Sequence, residues 1–365
     1  MTGDERAEAS VRREPGTAQG RLARDYSALA RTVRQSGLLR RRYGYYWTRL
    51  ILAVLALGGV WCAVVVVGRS WWQVAVAAAM AVVLTQLAFL GHDCAHRQVF
   101  RSRAWNDWVA RVLANVLVGI SYGWWTDKHD AHHTDPNREG KDPDIGPGAI
   151  AFTPSAVRAR RGAVSRWFAR RQGWFFFPLL TLEGLNLHVS SVRTVLGRRP
   201  VRHRGFEAPA LMARLVAPVV VLFVLLPPGI AAAFLGVQLV VFGLMLGSSF
   251  APNHKGMPVV PPTLEVDFLR RQVLMSRNIR GGVAVDFLMG GLNRQIEHHL
   301  FPSMPRPNLR RVQPVVRDHC AELGVPYTEV GFFRSYAIVV AYLNDVEHSA
   351  REPFACPVAG ALGRT

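Results

Sequence analysis

Four long apolar segments restrict what this chain of 365 residues can fold into. They cover roughly residues 50–67, 72–90, 210–227 and 229–250, and Arg214 is the only charged residue within them. Each is long enough to cross the hydrocarbon core of a bilayer as a helix. Only the short stretches "GRSWWQ" and "LPPG" separate the members of each pair. The pattern predicts an all-α integral membrane protein with four transmembrane helices in two hairpins.

The basic residues indicate how these helices are oriented. The formal net charge is +19, and eighteen lysines and arginines lie between residues 91 and 207. Both termini are also basic, whereas the two hairpin turns carry almost no charge. Positive charge is retained on the cytosolic side of membranes. We therefore expect the termini and the segments 91–207 and 251–345 to be cytosolic, with the two segments forming a helical cap on the spans.

The apolar segments, the basic runs and the cysteine spacing also indicate how the chain is divided into domains and which partners it binds. Residues 46–345 are predicted to form the membrane domain, residues 1–45 a disordered basic cytosolic tail, and residues 346–365 a C-terminal tail. Weakly apolar segments at 106–120 and from Gly173 onward predict helices lying in the membrane interface. The basic runs flank apolar segments without a nucleic-acid-reading motif, which favours membrane lipid over nucleic acid as their partner. The cysteines have no paired spacing, so no thiolate metal site is indicated.

Eight of the twelve histidines lie close to the predicted cytosolic ends of the spans. They are, in chain order, His92 and His96 in "HDCAH", His129, His132 and His133 in "HDAHH", His254 in "APNHK", and His298 and His299 in "QIEHH". Within each cluster the spacings of three and four residues place the side chains on one face of a helix. Gln295 precedes His298 by three residues and shares that face. The spacing predicts that the three clusters converge on one site, whereas His254 stands alone and by itself is more typical of a helix cap.

The number and type of these side chains bear on which metal they bind. A single such cluster is often a chance surface feature, but three clusters on one side of a membrane are not expected by chance. Eight imidazoles exceed the four ligands of one structural zinc, so two metals are implied. Imidazole without thiolate suits iron, copper, zinc and nickel. Asp93, Asp130 and Glu297 lie between the histidines and are candidates for orienting them through the second ring nitrogen; simple solubility is the alternative role.

The three histidine clusters resemble the boxes of the membrane fatty acid desaturase family. About thirty residues separate the first two boxes, and a long interval precedes the third. The glutamine that opens the third box and the stretches "HHTDPN", "KDPDI" and "QIEHHLFPSMPR" are similar to the front-end branch, which includes bacterial linoleoyl-CoA-type enzymes. The resemblance implies a non-haem di-iron centre held by the eight histidines. It also implies that dioxygen and two electrons are used to remove two hydrogens from an acyl chain.

The resemblance also sets expectations for Gln295, the partners and the location. Relatives with histidine in its place use that residue as a ligand, so Gln295 is a candidate weak ligand, a ligand through water, or an orienting residue. Many eukaryotic front-end enzymes carry a fused cytochrome b5 domain with the motif HPGG. No HPGG occurs in these 365 residues, so a separate ferredoxin or cytochrome b5-like donor with its reductase is expected. The expected location is a bacterial cell membrane, with a fatty acyl-CoA or acyl-lipid as substrate.

Other functions remain open at this stage. The same scaffold supports acyl or lipid hydroxylation and ketolation, and the boxes do not separate these reactions from desaturation. A membrane metal transporter is the alternative from a different class. Its ligands would be expected near the middle of the spans, whereas the predicted spans contain no histidine. Desaturation is therefore the favoured prediction.

Overall fold

The computed structural model describes residues 18–349, and helices dominate it. Within that range, four helices are long and apolar enough to cross a membrane, which confirms the predicted number. They are α2 (Tyr43–Val67), α3 (Gln73–Ala95), α10 (Arg204–Leu225) and α11 (Pro228–His254). Each continues past the predicted span at the end away from the turn that joins it to its neighbour. Outside the predicted spans, helix residues do not have to be apolar, so polar side chains can continue these helices.

Shorter helices make up the rest of the described chain. They are α1 (Ala18–Gln35), α4 (Arg103–Arg111), α5 (Tyr122–Thr134), α6 (Pro154–Arg158), α7 (Ala163–Ala169), α8 (Phe176–Leu180), α9 (Glu183–Leu196), α12 (Phe268–Leu274), α13 (Val283–Leu288), α14 (Gln295–Leu300), α15 (Arg306–Glu322) and α16 (Phe332–Ser349). A π-helix (Val112–Val118) continues α4, and Pro143–Ile145 forms a 3₁₀ turn. The two weakly apolar segments are thus helical, as predicted.

A small sheet shows that the all-α prediction was wrong in one detail. Strands β1 (Asn278–Arg280) and β2 (Glu329–Gly331) pair in parallel, with Ile279 opposite Val330. Each strand has only three residues, which is too short to show the alternation that identifies strands in a sequence. The sheet connects the segment between α12 and α13 to the segment between α15 and α16.

The expectation of a disordered tail up to residue 45 was also wrong for the part that the structure describes. Residues 18–35 form α1, and its Leu29 and Val33 are buried in one cluster with Leu269 and Leu309 of the cap. These two apolar residues are four apart and so form a stripe that packs inward. Residues 1–17 and 350–365 lie outside the described residues, while 346–349 continue α16.

Two hydrophobic clusters hold the fold together on either side of the histidine boxes. The larger one joins α3 and α11 to the π-helix and includes Phe89 and Phe242. The second lies in the cap and includes Ile296 and Leu300 of α14. Every residue of α14 is buried. The third histidine box is therefore fixed between the membrane helices and the cap.

Candidate metal centre

Four helices bring the histidine boxes together. His92 lies in the last turn of α3, and His96 is its C-cap residue. The middle box lies on α5, which begins after the N-cap Ser121, whose hydroxyl accepts a hydrogen bond from the backbone of Trp124. His254 ends α11, and the third box lies on α14. The prediction that these residues lie on helices is correct.

The eight histidines form two groups, and within each group the candidate ligand atoms lie within 4.8 Å of one another. The first group holds five: His92, His96, His129, His133 and His298. The second holds three: His132, His254 and His299. The groups adjoin, because the ring of His133 stacks on the ring of His299 with their centroids 4.2 Å apart. A chain with separate uses for its boxes would not show this convergence.

The ring nitrogens inside these groups fit a bound metal. In the first group, Nε2 of His129 lies 2.8 Å from Nε2 of His96 and 3.1 Å from Nε2 of His133. A ring nitrogen of a neutral imidazole carries either one hydrogen or one lone pair, so Nε2 of His129 cannot form a full hydrogen bond with both neighbours. Nε2 of His92 and of His299 and both nitrogens of His298 are buried without a hydrogen-bond partner. A buried nitrogen without a partner is costly unless it binds a cation.

Electrostatics favour the neutral, ligating form of these imidazoles. Burial lowers the pKa of His129, His133, His298 and His299 well below its usual value, and the neighbouring imidazoles lower it further. His132 differs. Burial acts to lower its pKa, but the carboxylates of Asp142 and Asp144 outweigh burial and raise the pKa. Metal binding needs deprotonated ligands, so the neutral majority is prepared for it.

Hydrogen bonds from the outer ring nitrogens orient three of the ligands. Nδ1 of His132 lies 3.0 Å from Oδ2 of Asp142. Nδ1 of His299 lies 2.8 Å from Oε1 of Gln272, and Nδ1 of His254 lies 3.0 Å from the carbonyl oxygen of Met275. Such bonds fix the tautomer with Nδ1 protonated and leave Nε2 free for a metal. All three members of the second group are held in this way.

The three carboxylates singled out from the sequence lie in different places. Asp93 is 3.4 Å from Nδ1 of His92 and pairs with Arg306 at 2.7 Å. Asp130 is exposed, and it is not brought to the site. Glu297 is buried and accepts hydrogen bonds of 2.7 Å from Asn278 and Tyr327, away from the imidazoles. Burial raises the pKa of Glu297 to about 7. The geometry gives only Asp93 contact with a box histidine.

Asp142, Asp144 and Gln272 were not identified from the sequence. Asp142 anchors the loop after α5, since its Oδ2 also accepts a hydrogen bond of 2.7 Å from the backbone of Asn137. Lys128 lies 2.6 Å from Asp144. The stretch "KDPDI" offered a signal for the two acids, ten and twelve residues after His132. Gln272 lies more than twenty residues from any box histidine except His254, and no spacing pointed to it.

Gln295 lies at the group with fewer histidines. Its Nε2 is 3.0 Å from Nε2 of His254, and its Oε1 accepts a hydrogen bond of 3.2 Å from Asn253. The side chain is buried. A half-turn of the amide exchanges its two ends and would point the oxygen at the second group.

A cavity of about 630 Å³ opens beside the histidines. Its walls carry His92, His129, His132, His254 and Gln295 at one place and mainly apolar side chains elsewhere. Trp124 and Trp125 also line it, and the ring of Trp125 stacks on His129 with centroids 4.3 Å apart. A volume of this size holds a small molecule or part of a long chain. The apolar walls favour a hydrocarbon.

Four apolar helices and buried histidine groups that border an apolar cavity define a helical membrane protein with a site compatible with metal. The model of the fatty acid desaturase family matches residues 69–331 and so includes all eight histidines. The chain therefore belongs to the fatty acid desaturase family. It is an oxidoreductase that desaturates fatty acyl chains.

The relatives narrow the branch of the family. A Delta(8)-fatty-acid desaturase of Helianthus annuus is 26% identical over 359 residues, covering 91% of this chain and 75% of the relative. An acyl-lipid (9-3)-desaturase of Physcomitrium patens is 32% identical over 283 residues, covering 76% of this chain and 54% of the relative. The Delta(6)-fatty-acid desaturase fat-3 of Caenorhabditis elegans is 27% identical over 343 residues, covering 90% and 76%. The similarity to front-end desaturases is confirmed.

Proposed function

We propose that the chain desaturates a fatty acyl chain with a non-haem di-iron centre, dioxygen and two externally supplied electrons. The observation that carries this proposal is the pair of imidazole groups on the wall of an apolar cavity. An alkyl chain offers no acid, base or leaving group, so its oxidation depends on a metal cofactor. Iron bound to these groups would supply that oxidative chemistry. The protein then has to hold the metal, orient the chain and admit electrons.

The two groups would each hold one iron. His92, His96, His129, His133 and His298 would bind the first, and His132, His254 and His299 the second. Gln295 would complete or orient the second site. Asp142 and Asp93 would keep His132 and His92 in position. An imidazole set without thiolate is compatible with iron that keeps positions open for oxygen.

The cavity would hold the acyl chain with its reacting carbons beside the histidines. Ala88, one helical turn before His92, lines it together with Ala110 and Ala114, and small side chains leave room for a hydrocarbon. The carrier would be a lipid or coenzyme A. Relatives named as acyl-lipid desaturases support the lipid.

We further propose the membrane arrangement expected from the charges. Two hairpins, α2–α3 and α10–α11, would cross a bacterial cell membrane, and the domain 46–345 would place its cap and the termini in the cytosol. The 18 basic residues between 91 and 207 support this orientation.

Electrons would come from a separate ferredoxin or cytochrome b5-like protein and its reductase. The net charge of +19 would attract an acidic donor to the cap. Salt screens this attraction, so turnover with an acidic donor should fall as ionic strength rises. Turnover that does not change with salt would count against electrostatic docking.

Expression in a host of known lipid composition tests the reaction itself. Mass spectrometry should find an acyl chain lighter by two hydrogens, with the new double bond at one position, and a His299→Ala variant should not form it. A product heavier by one oxygen would instead identify a hydroxylase, and a further loss of two hydrogens a ketolase. Metal uptake with unchanged lipids would favour the transporter.

A further inference from the structure

One stretch outside the four long helices is basic and contains no acid. Between Asp144 and Glu183 the chain has no aspartate or glutamate, and it has six arginines. They are Arg158, Arg160, Arg161, Arg166, Arg170 and Arg171. We call residues 158–182 the arginine segment. It contains α7 and α8, and its Phe176, Leu179, Leu180 and Leu182 form part of the cavity wall.

The C-terminal end of the arginine segment lies beside the apolar part of α11. A Cβ atom on Gly247 would come within 2.5 Å of Leu180, and one on Gly243 within 2.6 Å of the backbone of Gly184 and of Leu180. Gly243 precedes His254 by eleven residues, which at a rise of about 1.5 Å per residue is about 16 Å along the helix. Leu182, between these contacts, is 56% exposed. At this depth its neighbour in a membrane would be a lipid acyl chain.

Phe177 lies closer to the histidine level. Its ring is 5.7 Å from that of Tyr336, whose hydroxyl donates a hydrogen bond of 2.9 Å to the carbonyl of Ser248 on α11. Ser248 precedes His254 by six residues, or about 9 Å. Tyr336 also contacts Phe332, and the adjoining Phe333 is 85% exposed. These aromatic side chains form a continuous patch, in which Phe177 and Phe333 are exposed and Phe332 and Tyr336 partly buried.

The arginines and two tryptophans follow toward the N-terminal end of the segment. Trp174 is 72% exposed and Trp167 is half exposed, with the guanidinium of Arg171 lying 5.2 Å from the ring of Trp167. Arg161 and Arg166 are exposed. Read from Leu182 back to Arg161, the exposed side chains are first aliphatic, then aromatic at Phe177 and Trp174, and then mainly cationic, with Trp167 and the exposed Val164 among the arginines. This is the order met by a chain that leaves the acyl layer, crosses the interface and reaches the head groups.

We propose that the arginine segment is a membrane-docking element that binds the head groups of anionic phospholipids. The exposed Arg161 and Arg166 would hold the phosphates, and Trp167, Trp174 and Phe177 would enter the interface beside them. One wall of the acyl cavity would thereby be seated against the bilayer. The inference goes beyond the reaction and holds whichever metal or electron donor serves the enzyme.

A lipid surface fits this segment better than an acidic protein does. A protein partner would pair the charges but would also have to cover Leu182 and Phe177, which lie alongside the apolar length of α11. A bilayer can both pair the arginines and cover the apolar side chains. Its head-group layer would lie at the arginines and its acyl layer at Leu182. The segment itself carries no acid between residues 145 and 182 that would repel phosphate.

The first test compares two pairs of exposed arginines in the full chain. The variants are Arg161→Gln/Arg166→Gln and, as a control, Arg310→Gln/Arg311→Gln on α15, which removes the same charge. Each is reconstituted in nanodiscs of phosphatidylcholine with one fifth phosphatidylglycerol, and the phosphatidylglycerol that stays bound after exchange into phosphatidylcholine is measured by mass spectrometry. We expect affinity for phosphatidylglycerol to fall on the order of tenfold in the first variant only. Equal retention in both variants would overturn the proposal.

The second test measures depth directly and does not depend on charge. Trp174→Cys and Arg310→Cys are labelled with a fluorophore in a background with Cys62 and Cys356 replaced by serine. Brominated phospholipids should quench the probe at 174 and not at 310. An unquenched probe at 174 would contradict membrane docking. If the first variant lost turnover with an acidic donor while its lipid binding was unchanged, the segment would be a protein surface and the proposal would be wrong.

Discussion

At the scale of single residues, Gln295 is the side chain that most clearly separates the two histidine groups. The first group has five imidazoles, whereas the second has three and this amide. An amide oxygen donates its electron pair to a metal more weakly than an imidazole nitrogen does. The metal at the second group should therefore be bound less tightly or keep a more open position than its partner.

Substitution of Gln295 tests this difference. Gln295→His should preserve iron content, because an imidazole can reach the same position, while the rate of desaturation changes. Gln295→Ala should lower iron content, since the contacts with His254 and Asn253 are lost. Iron is measured by plasma mass spectrometry alongside turnover. An alanine variant that equals the parent in both measurements would remove Gln295 from the site.

Asp142 offers a second test, on the orientation of a ligand rather than on the ligand itself. Asp142→Asn keeps the size of the side chain but removes the charge that faces Nδ1 of His132 at 3.0 Å. Loss of such a partner lowers metal affinity by about 10- to 100-fold in comparable sites. The measurement is iron retention against a graded chelator. Asp130→Asn is the control, and equal retention in the two variants would contradict a role for Asp142.

Residue types and spacing could predict that the three histidine clusters converge, but not what orients them. His254 stands alone in the sequence and was assigned only through the family resemblance. Residues three and four apart lie on the same face of a helix, so the boxes could be identified in the sequence. Gln272 and the carbonyl of Met275 reach the site from α12 and the residue after it, through contacts that no local pattern specifies. Asp130 shows the reverse error. It lies in a box, yet the helix turns it outward.

At the scale of elements, glycines allow α8 and α9 to approach α11 closely. Gly184 lies against Leu239 and Gly243, and Gly247 lies against Leu180. Small residues permit such approach between helices where no hydrophobic effect drives association. This packing holds one wall of the cavity against the helix that carries His254.

Alanine at two glycines of α11 tests the packing. Gly243→Ala should destabilise the protein by about 1–3 kcal/mol, because the new methyl group meets backbone atoms of Leu180 and Gly184 at 2.6 Å. Gly236→Ala, on the same helix, has nothing within 4 Å and should be neutral or slightly stabilising. Thermal unfolding of the iron-loaded protein in detergent measures both. Equal melting temperatures would mean that the close approach does not matter.

The long elements could be predicted and the small ones could not. Segments of about eighteen or more predominantly apolar residues have few alternatives to a membrane helix, so all four spans were evident. The helix α1 was missed because only one stripe of an otherwise basic segment is apolar and because its partners lie in the distant cap. The strands β1 and β2 were missed because three residues are too few to show the alternation that identifies a strand.

At the scale of the whole molecule, the proposed orientation predicts from which side of the membrane a reagent can reach a given loop. A cysteine placed in the "LPPG" turn between α10 and α11 should react with a membrane-impermeant thiol reagent added outside intact cells. It should not react in inside-out vesicles until they are opened. Cys62, which is exposed, and Cys356 in the C-terminal tail are first replaced by serine, as in the depth measurement. Labelling from the cytosolic side alone would reverse the orientation and place the histidine groups outside.

The central claim is that eight converging histidines hold two iron ions that serve desaturation. Iron per chain in purified, active protein tests it most directly, with His299→Ala as the ligand variant and His319→Ala as the control, since His319 lies on α15 and bonds to the backbone of Asp25. We predict close to two irons per chain in the parent and the control, and a lower content without activity in His299→Ala. Full activity with one iron or none, or undiminished iron and activity in His299→Ala, would contradict the account.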